Sequence, residues 1–407
     1  MLGTKDSGQI ARREWLWTVM AMMSMPTHAI AQACKPQSPK NWPMWEQFKQ
    51  RFIQADGRVI DYGRQPGQTT SEGQSYAMFF ALVHKDQAMF KLLWQWSETN
   101  LAQGDMKARL AAWLWGYKAD GSWGVVDPNS ATDADCWFAY ALLEAGRLWN
   151  DQAYTQSGQA LLDRIAKDTV VDLPDLGKML LPGPQGFAKN DKGVKLWRLN
   201  PSYLPLMLFR RFAVEQPNGP WTELVHNTIS LLTRMSTKSV APDWVAYTKN
   251  EQGIWRFVPD PDSPQTGSYD AIRTYMWAGM VDRLDDFRGT VLRRVAGMVD
   301  AANSLDGMPP EFIDIATGQA KPGRGPVGFS AALLPYFKSS GQYLLYRLAA
   351  KRVNEEFGNP AVAANLPYYD YVLALFGTGW DEERYGFAPA GHLKPFWESA
   401  CPSKPER

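Results

Sequence analysis

The chain has 407 residues, with 43 Lys and Arg against 42 Asp and Glu, and an apolar fraction of 45%. That composition excludes a disordered, collagen-like or membrane-bundle protein, and a formal charge of +1 gives neither nucleic acid nor an acidic membrane an electrostatic hold. The 18 Trp, as many as Phe, are the unusual component, because large amphipathic rings serve both core packing and sugar stacking.

At the N-terminus Lys5, Arg12 and Arg13 precede an apolar run of eleven residues, Trp15 to Met25, followed by Pro26 and the small-residue stretch Ala29-Ile30-Ala31-Gln32-Ala33. This is the layout of a secretory signal peptide. The run is far shorter than the roughly 20 residues that span a bilayer. The expected organisation is therefore a removed segment, 1–33, and a single domain, 34–407, with no membrane insertion after cleavage. Cys34 and Cys401 sit near the two ends of the exported chain and are the natural disulfide partners in an oxidising compartment. Cys136 lies inside a helical pattern and reads as a small buried hydrophobe. There is no Cys-x-x-Cys or Cys/His cluster, so no metal site is expected.

Helical periodicity then recurs along the chain. It covers 42–54, the run from Tyr76 through Phe79, Phe80 and Val83, 86–100, and the run from Trp137 through Ala141, Ala145 and Leu148. Further stretches follow near 152–167, 203–214, 221–236, 270–284, 287–303, 328–338, 341–357 and 365–377. Strand signal is sparse, the best case being a short hairpin of Trp244–Tyr247 and Ile254–Phe257 around Asn250–Gly253. About a dozen helices separated by Gly/Pro/Asp-rich loops predict an all-α domain. A barrel of paired helices and an α-solenoid both fit the periodicity, although no fixed-period repeat supports a helical-repeat scaffold.

The chemistry-bearing motifs narrow by elimination. There is no H-E-x-x-H, no G-x-S-x-G and no Walker-type lysine loop. The Gly323–Gly328 stretch matches G-x-G-x-x-G by letter, but a Pro interrupts it and no strand precedes it. Carboxylates remain. Glu72 (in TTSEGQSY), Asp133 and Asp135 (in SATDAD) and Asp270 (in SYDAIR) each stand where a loop enters a helix. Capping and the helix dipole suffice to explain any one of them alone. Together they have company, since Tyr76, Trp137, Tyr269, Tyr275 and Trp277 lie close by in sequence. Trp113, Trp115, Tyr117 and Trp123 flank the Ala131–Asp135 segment, with Trp115 the first choice for a sugar platform. If alternate helix ends meet at one rim, carboxylates among rings are what glycoside cleavage needs: a general acid, a carboxylate for water, and stacking faces.

At these residues the sequence resembles a known family. Ala131-Thr132-Asp133-Ala134-Asp135, followed by Ala139, Leu142, Leu143, Ala145 and Trp149, is similar to the signature of family 8 glycoside hydrolases, with Phe138 in place of the usual Ile or Met. Glu72 in TTSEGQSYAM, Asn200-Pro201-Ser202-Tyr203 and SYDAIRTYMWAGM at 268–280 also look like that family. The similarity runs from about Trp42 to Cys401 and points to the members that accompany bacterial cellulose synthases. It implies an (α/α)6 barrel and endo-acting, inverting hydrolysis of β-1,4-glucan. By position, Glu72 matches the general acid and Asp270 the general base, while Asp133 matches the carboxylate that holds a distorted sugar ring in the −1 subsite. Tyr203 and Arg273 match residues that seat the water and the base, and Tyr269 and Trp115 are taken as substrate contacts. The implied partners are β-1,4-glucan chains and the cellulose synthase and export machinery. No cofactor and no metal are implied, and the location is periplasmic or secreted.

Inversion requires two carboxyls about 6.5–9.5 Å apart, one protonated and one ionised. Arg273, one helical turn from Asp270, and the helix N-terminus both favour the charged form of Asp270. Glu72 has no basic neighbour in its helix, so apolar burial and the other carboxylates should hold its proton on. The competing readings are another β-1,4-linked polymer (chitosan, xylan or mixed-linkage glucan) and a non-catalytic glucan-binding protein. Chitosan would call for extra acidic residues, and a binding module would not need paired carboxylates.

Overall fold

The structure, a computed structural model, describes residues 38–63, 66–191 and 193–398. The segment read as a signal peptide, and with it Cys34 and Cys401, lies outside the described residues. Two rings of helices build the domain, and sequence chemistry decides which helix belongs to which ring. The inner helices are Ser71–Val83, Thr132–Trp149, Leu206–Glu215, Ala271–Met280, Val327–Ala332 with its continuation Leu334–Ser339, and Tyr368–Asp381. They are apolar nearly all round. In Ser71–Val83 every residue except Glu72 is buried, and in Ala271–Met280 all ten are. A helix hydrophobic on every side must be enclosed by protein.

The outer helices are amphipathic instead. Trp221–Arg234 buries Trp221, Leu224, Val225, Thr228, Leu231 and Leu232, the i, i+3, i+4, i+7 stripe of a helix with one wet face. Pro43–Phe52, Gln87–Leu101, Gln152–Thr169, the broken pair Arg288–Arg294 and Gly297–Asn303, and Tyr343–Gly358 complete that layer. Each inner helix packs against the outer helix next to it in the chain, and the ring closes where Pro43–Phe52 meets Tyr368–Asp381. This is the (α/α)6 barrel.

Aromatic rings fill the barrel interior. Trp137 contacts Trp277 at 5.4 Å and Phe376 at 5.1 Å between ring centroids, and Phe79 stacks on Phe376 at 5.5 Å. Much of the Trp content is therefore core packing. Trp94 and Trp96 are buried in Gln87–Leu101, and Cys136 is wholly buried with a free thiol. Glycines let the inner helices approach closely. A Cβ on Gly377 would stand 1.9 Å from the Ala331 carbonyl oxygen, and one on Gly279 would stand 2.2 Å from the Tyr336 amide nitrogen.

The described residues contain fifteen α-helices rather than twelve. Two of the expected helices are split, and Pro360–Ala363 adds a short one. The stretch 287–303 breaks because Val295 leaves helical backbone geometry and the Gly297 amide donates to the Ser239 carbonyl instead. The hairpin is present as Val245–Lys249 and Trp255–Pro259, but it belongs to a four-stranded antiparallel sheet with Ala188–Asp191 and Val194–Leu199. A three-stranded sheet of Thr69–Thr70, Leu114–Tyr117 and Trp123–Asp127 sits just before the first inner helix. Both sheets join helices and leave the barrel architecture intact.

Candidate active site

All six inner helices start at the same rim, so the residues at their N-termini converge. Thr70 accepts from the Gly73 amide and starts Ser71–Val83, which places Glu72 in the first turn. Asp133 lies in the first turn of Thr132–Trp149, where its Oδ1 accepts from the Ala134 amide at 2.8 Å. A one-turn 3-10 helix, Pro201–Tyr203, is set by Asn200 accepting from the Ser202 amide, and it presents Tyr203 ahead of the third inner helix. Asp270 is the residue at which Ala271–Met280 begins.

Arg273 ties these ends together. Its guanidinium donates to Asp133 Oδ2 at 3.1 Å, to Asp270 Oδ1 at 2.6 Å and to Ser202 Oγ at 3.0 Å. The Tyr76 hydroxyl donates to the same Asp133 oxygen at 3.0 Å. The Tyr203 ring lies 5.5 Å from the guanidinium carbon, and the Trp277 indole N–H donates to the Ser202 carbonyl at 3.0 Å. With Arg273 and Asp133 both buried, these charge-assisted bonds hold the geometry far more firmly than an exposed pair would.

The electrostatics separate the carboxyls. Glu72 is pushed up to about 8, first by loss of hydration and then by the negative charge of Asp133. Its Oε1 accepts from the Trp113 indole N–H at 3.2 Å and its Oε2 from Ser71 Oγ at 3.3 Å. Asp133 is raised by burial, against the pull of Arg273. The Tyr203 hydroxyl is held well above its ordinary value by burial and by the charges of Asp133, Glu72 and Asp270, so it keeps its proton. Asp135 is fully buried, and loss of hydration raises it well above its ordinary value.

The aromatic candidates divide. Trp113 reaches Glu72 and is 36% exposed. Trp115 is committed to its neighbours: it stacks on Trp123 at 5.4 Å, meets Trp96 edge-on at 5.4 Å and carries Arg58 at 4.4 Å from its ring. Tyr269 is 45% exposed, donates to Glu311 Oε1 at 2.8 Å and packs on Phe329 at 5.1 Å. Sequence reasoning missed two residues of this rim. Tyr369, at the start of the sixth inner helix, donates its hydroxyl to the Tyr269 carbonyl at 2.7 Å. The rule that picked out Glu72, a polar residue at a helix entrance, would have found it. Asp243 accepts from three backbone amides of the Ser268–Ala271 turn, and no local pattern marks it.

A hollow of about 530 Å³ lies at the opposite rim. Met280, Lys338, Trp380 and Phe396 line it, at or beyond the C-terminal ends of inner helices. It contains none of these carboxylates, and the chemistry-bearing residues stand on the partly exposed N-terminal rim.

A ring of helix N-termini bearing paired carboxyls among aromatic side chains has the groups that glycoside cleavage needs, and comparison with known proteins makes the class definite. The model for glycosyl hydrolases family 8 matches residues 13–383. The chain belongs to that family and is an enzyme. It is 44% identical over 384 residues to an endoglucanase of Pseudomonas fluorescens (strain SBW25), covering 92% of this chain and 94% of that one. An endoglucanase of Escherichia coli (strain K12) is likewise 44% identical, with 94% of this chain and 97% of that one covered. The crystal structure of an endo-1,4-D-glucanase from Vibrio fischeri ES114 superposes with a TM-score of 0.81 at 40% identity, covering 88% of this chain and 99% of that one.

Proposed function

We propose that the chain cleaves internal β-1,4-glucosidic bonds of cellulose or soluble β-glucan with inversion at the anomeric carbon. Glu72 protonates the departing glycosidic oxygen. Asp270 removes a proton from water on the opposite face of the ring, and Asp133 holds the sugar between them. The observation that carries this reading is the asymmetry of the two ends of one network. Glu72 retains its proton to about pH 8, while Asp270 is bonded to the Arg273 guanidinium at 2.6 Å. One carboxyl is thereby kept as an acid and the other is partnered as a carboxylate, as an acid–base pair requires. The Tyr203 hydroxyl and the exposed rings of Trp113 and Tyr269 supply polar and stacking contacts for water and sugar. The relatives named endoglucanase support a glucan over chitosan or xylan.

The N-terminal pattern supports export to the periplasm or beyond. There the enzyme would trim or release β-1,4-glucan chains during bacterial cellulose synthesis and secretion.

The assignment is tested with hydroxyethyl cellulose and cello-oligosaccharides. Glu72→Gln and Asp270→Asn should each lower kcat by about 10²–10⁴-fold. Wild-type product should emerge as the α-anomer by NMR, with a rapid fall in polymer viscosity. Near-normal turnover in either variant, or a β-anomeric product, would overturn the roles of Glu72 and Asp270 as acid and base. Disruption of the gene should alter cellulose output or chain length if the enzyme serves synthesis.

A further inference from the structure

Asp243 stands 27 residues before the proposed base and outside every helix, yet it holds the backbone on which that base rides. Its Oδ1 accepts from the amides of Ser268 at 2.8 Å, Asp270 at 3.1 Å and Ala271 at 2.8 Å. Ala271–Met280 lacks a cap from Asp270 itself, whose side chain makes no such bond. Asp243 therefore supplies, from a distant loop, the oxygen that an N-cap residue normally provides. The turn is gripped on other sides as well: Ser268 Oγ donates to the Glu311 carbonyl at 2.6 Å, and Tyr369 donates to the Tyr269 carbonyl. Asp243 and Asp270 also repel one another electrostatically, and loss of hydration with that repulsion lifts Asp243 to about 6. The titratable groups whose charge or hydroxyl is coupled to Asp243 are Asp270, Tyr275 and Tyr369.

From this geometry we infer that Asp243 is a positioning residue for the reaction: it fixes the backbone on which Asp270 rides. The inference rests on Asp270 acting as the base. Only one oxygen accepts all three bonds, so Asn at this position can keep the clamp while removing the charge, whereas Ala removes both.

Kinetics of Asp243→Ala and Asp243→Asn on hydroxyethyl cellulose, alongside Asp270→Asn, test it. Asp243→Ala should lose at least about tenfold in kcat with KM changed less than about twofold, because a misplaced base costs rate rather than binding. Asp243→Asn should recover kcat to within about threefold of wild type. Wild-type kcat in Asp243→Ala, or a loss in Asp243→Asn as deep as in Asp243→Ala, overturns the inference. If Asp243→Ala does not fold, Asp243→Asn decides alone, and a loss of kcat beyond about threefold overturns the inference. An active Asp270→Asn would instead defeat the assignment of the base.

Discussion

Glu72 shows how one half-buried carboxyl trades stability for chemistry. An unfolded Glu releases its proton near pH 4.3, whereas in the folded enzyme the same group keeps it to about pH 8. Between those values the native state binds more protons than the unfolded one, so unfolding free energy falls as pH rises. The contribution is fully present below the lower value and lost progressively up to the higher one. Glu72→Gln removes the ionisable group and with it this slope. Its Tm should match wild type near pH 4.5 and exceed it near pH 8, and a thermal melt series across that range checks the sign. For the same reason the alkaline limb of the wild-type kcat/KM profile should lie near pH 8, where the acid loses its proton. At this scale the sequence was informative in places. Glu72, Asp133 and Asp270 stand out because helix entrances are visible as turn residues before an apolar period. Asp243 does not, because its partners are 25 to 28 residues away and the Pro242-Asp243 pair reads only as a turn.

Among the elements, the helices were legible and the strands largely were not. Helices such as Thr132–Trp149, Trp221–Arg234 and Ala271–Met280 run for ten to eighteen residues, long enough for an apolar run or stripe to prevail over chance. Leu114–Tyr117 and Trp123–Asp127 are four and five residues long. Their Trp and Tyr residues looked like a stacking surface, when strand pairing and the Trp96–Trp115–Trp123 stack explain much of their presence. Breaks inside a periodic run were equally hidden, since the Gly297 amide leaves its helix for a carbonyl near residue 239 that no local pattern reveals. Helix contacts also make the glycines testable. Gly377→Ala forces a methyl to within 1.9 Å of the Ala331 carbonyl oxygen in the neighbouring inner helix. The overpacking should cost about 1–3 kcal/mol, seen as a lower denaturation midpoint, while KM of the residual folded enzyme stays unchanged.

Over the whole molecule, the ring closes by joining the start of the described chain to its later part. Phe48 and Phe52 of the first outer helix pack on Tyr368, and Phe52 also on Tyr371. Arg51 donates to the carbonyls of Ala363 at 2.6 Å and Leu366 at 3.0 Å. The last inner helix brings Tyr369 to the reactive rim, so this seam and the site depend on each other. Phe48→Ala leaves a void in a fully buried position and should cost about 3–5 kcal/mol. Circular dichroism and activity should be lost together in a single transition, whereas a seam that opened independently would abolish activity first.

The acidic crowding around Arg273 also bears on which test polymer reports the enzyme fairly. Asp133 and Asp270 bond that guanidinium and Asp243 stands behind Asp270, so the rim presents a negative field to anything approaching it. Native β-glucan is uncharged and indifferent to that field, but carboxymethylcellulose brings its own anions. At about 0.01 M ionic strength, where screening extends to about 30 Å, the carboxymethyl groups are repelled; at about 0.15 M the range shrinks to about 8 Å. Apparent KM for the carboxymethylated chain should therefore fall several-fold as salt is added, with that for hydroxyethyl cellulose unmoved. Assays on the anionic polymer in dilute buffer would then understate the affinity of this enzyme for uncharged chains.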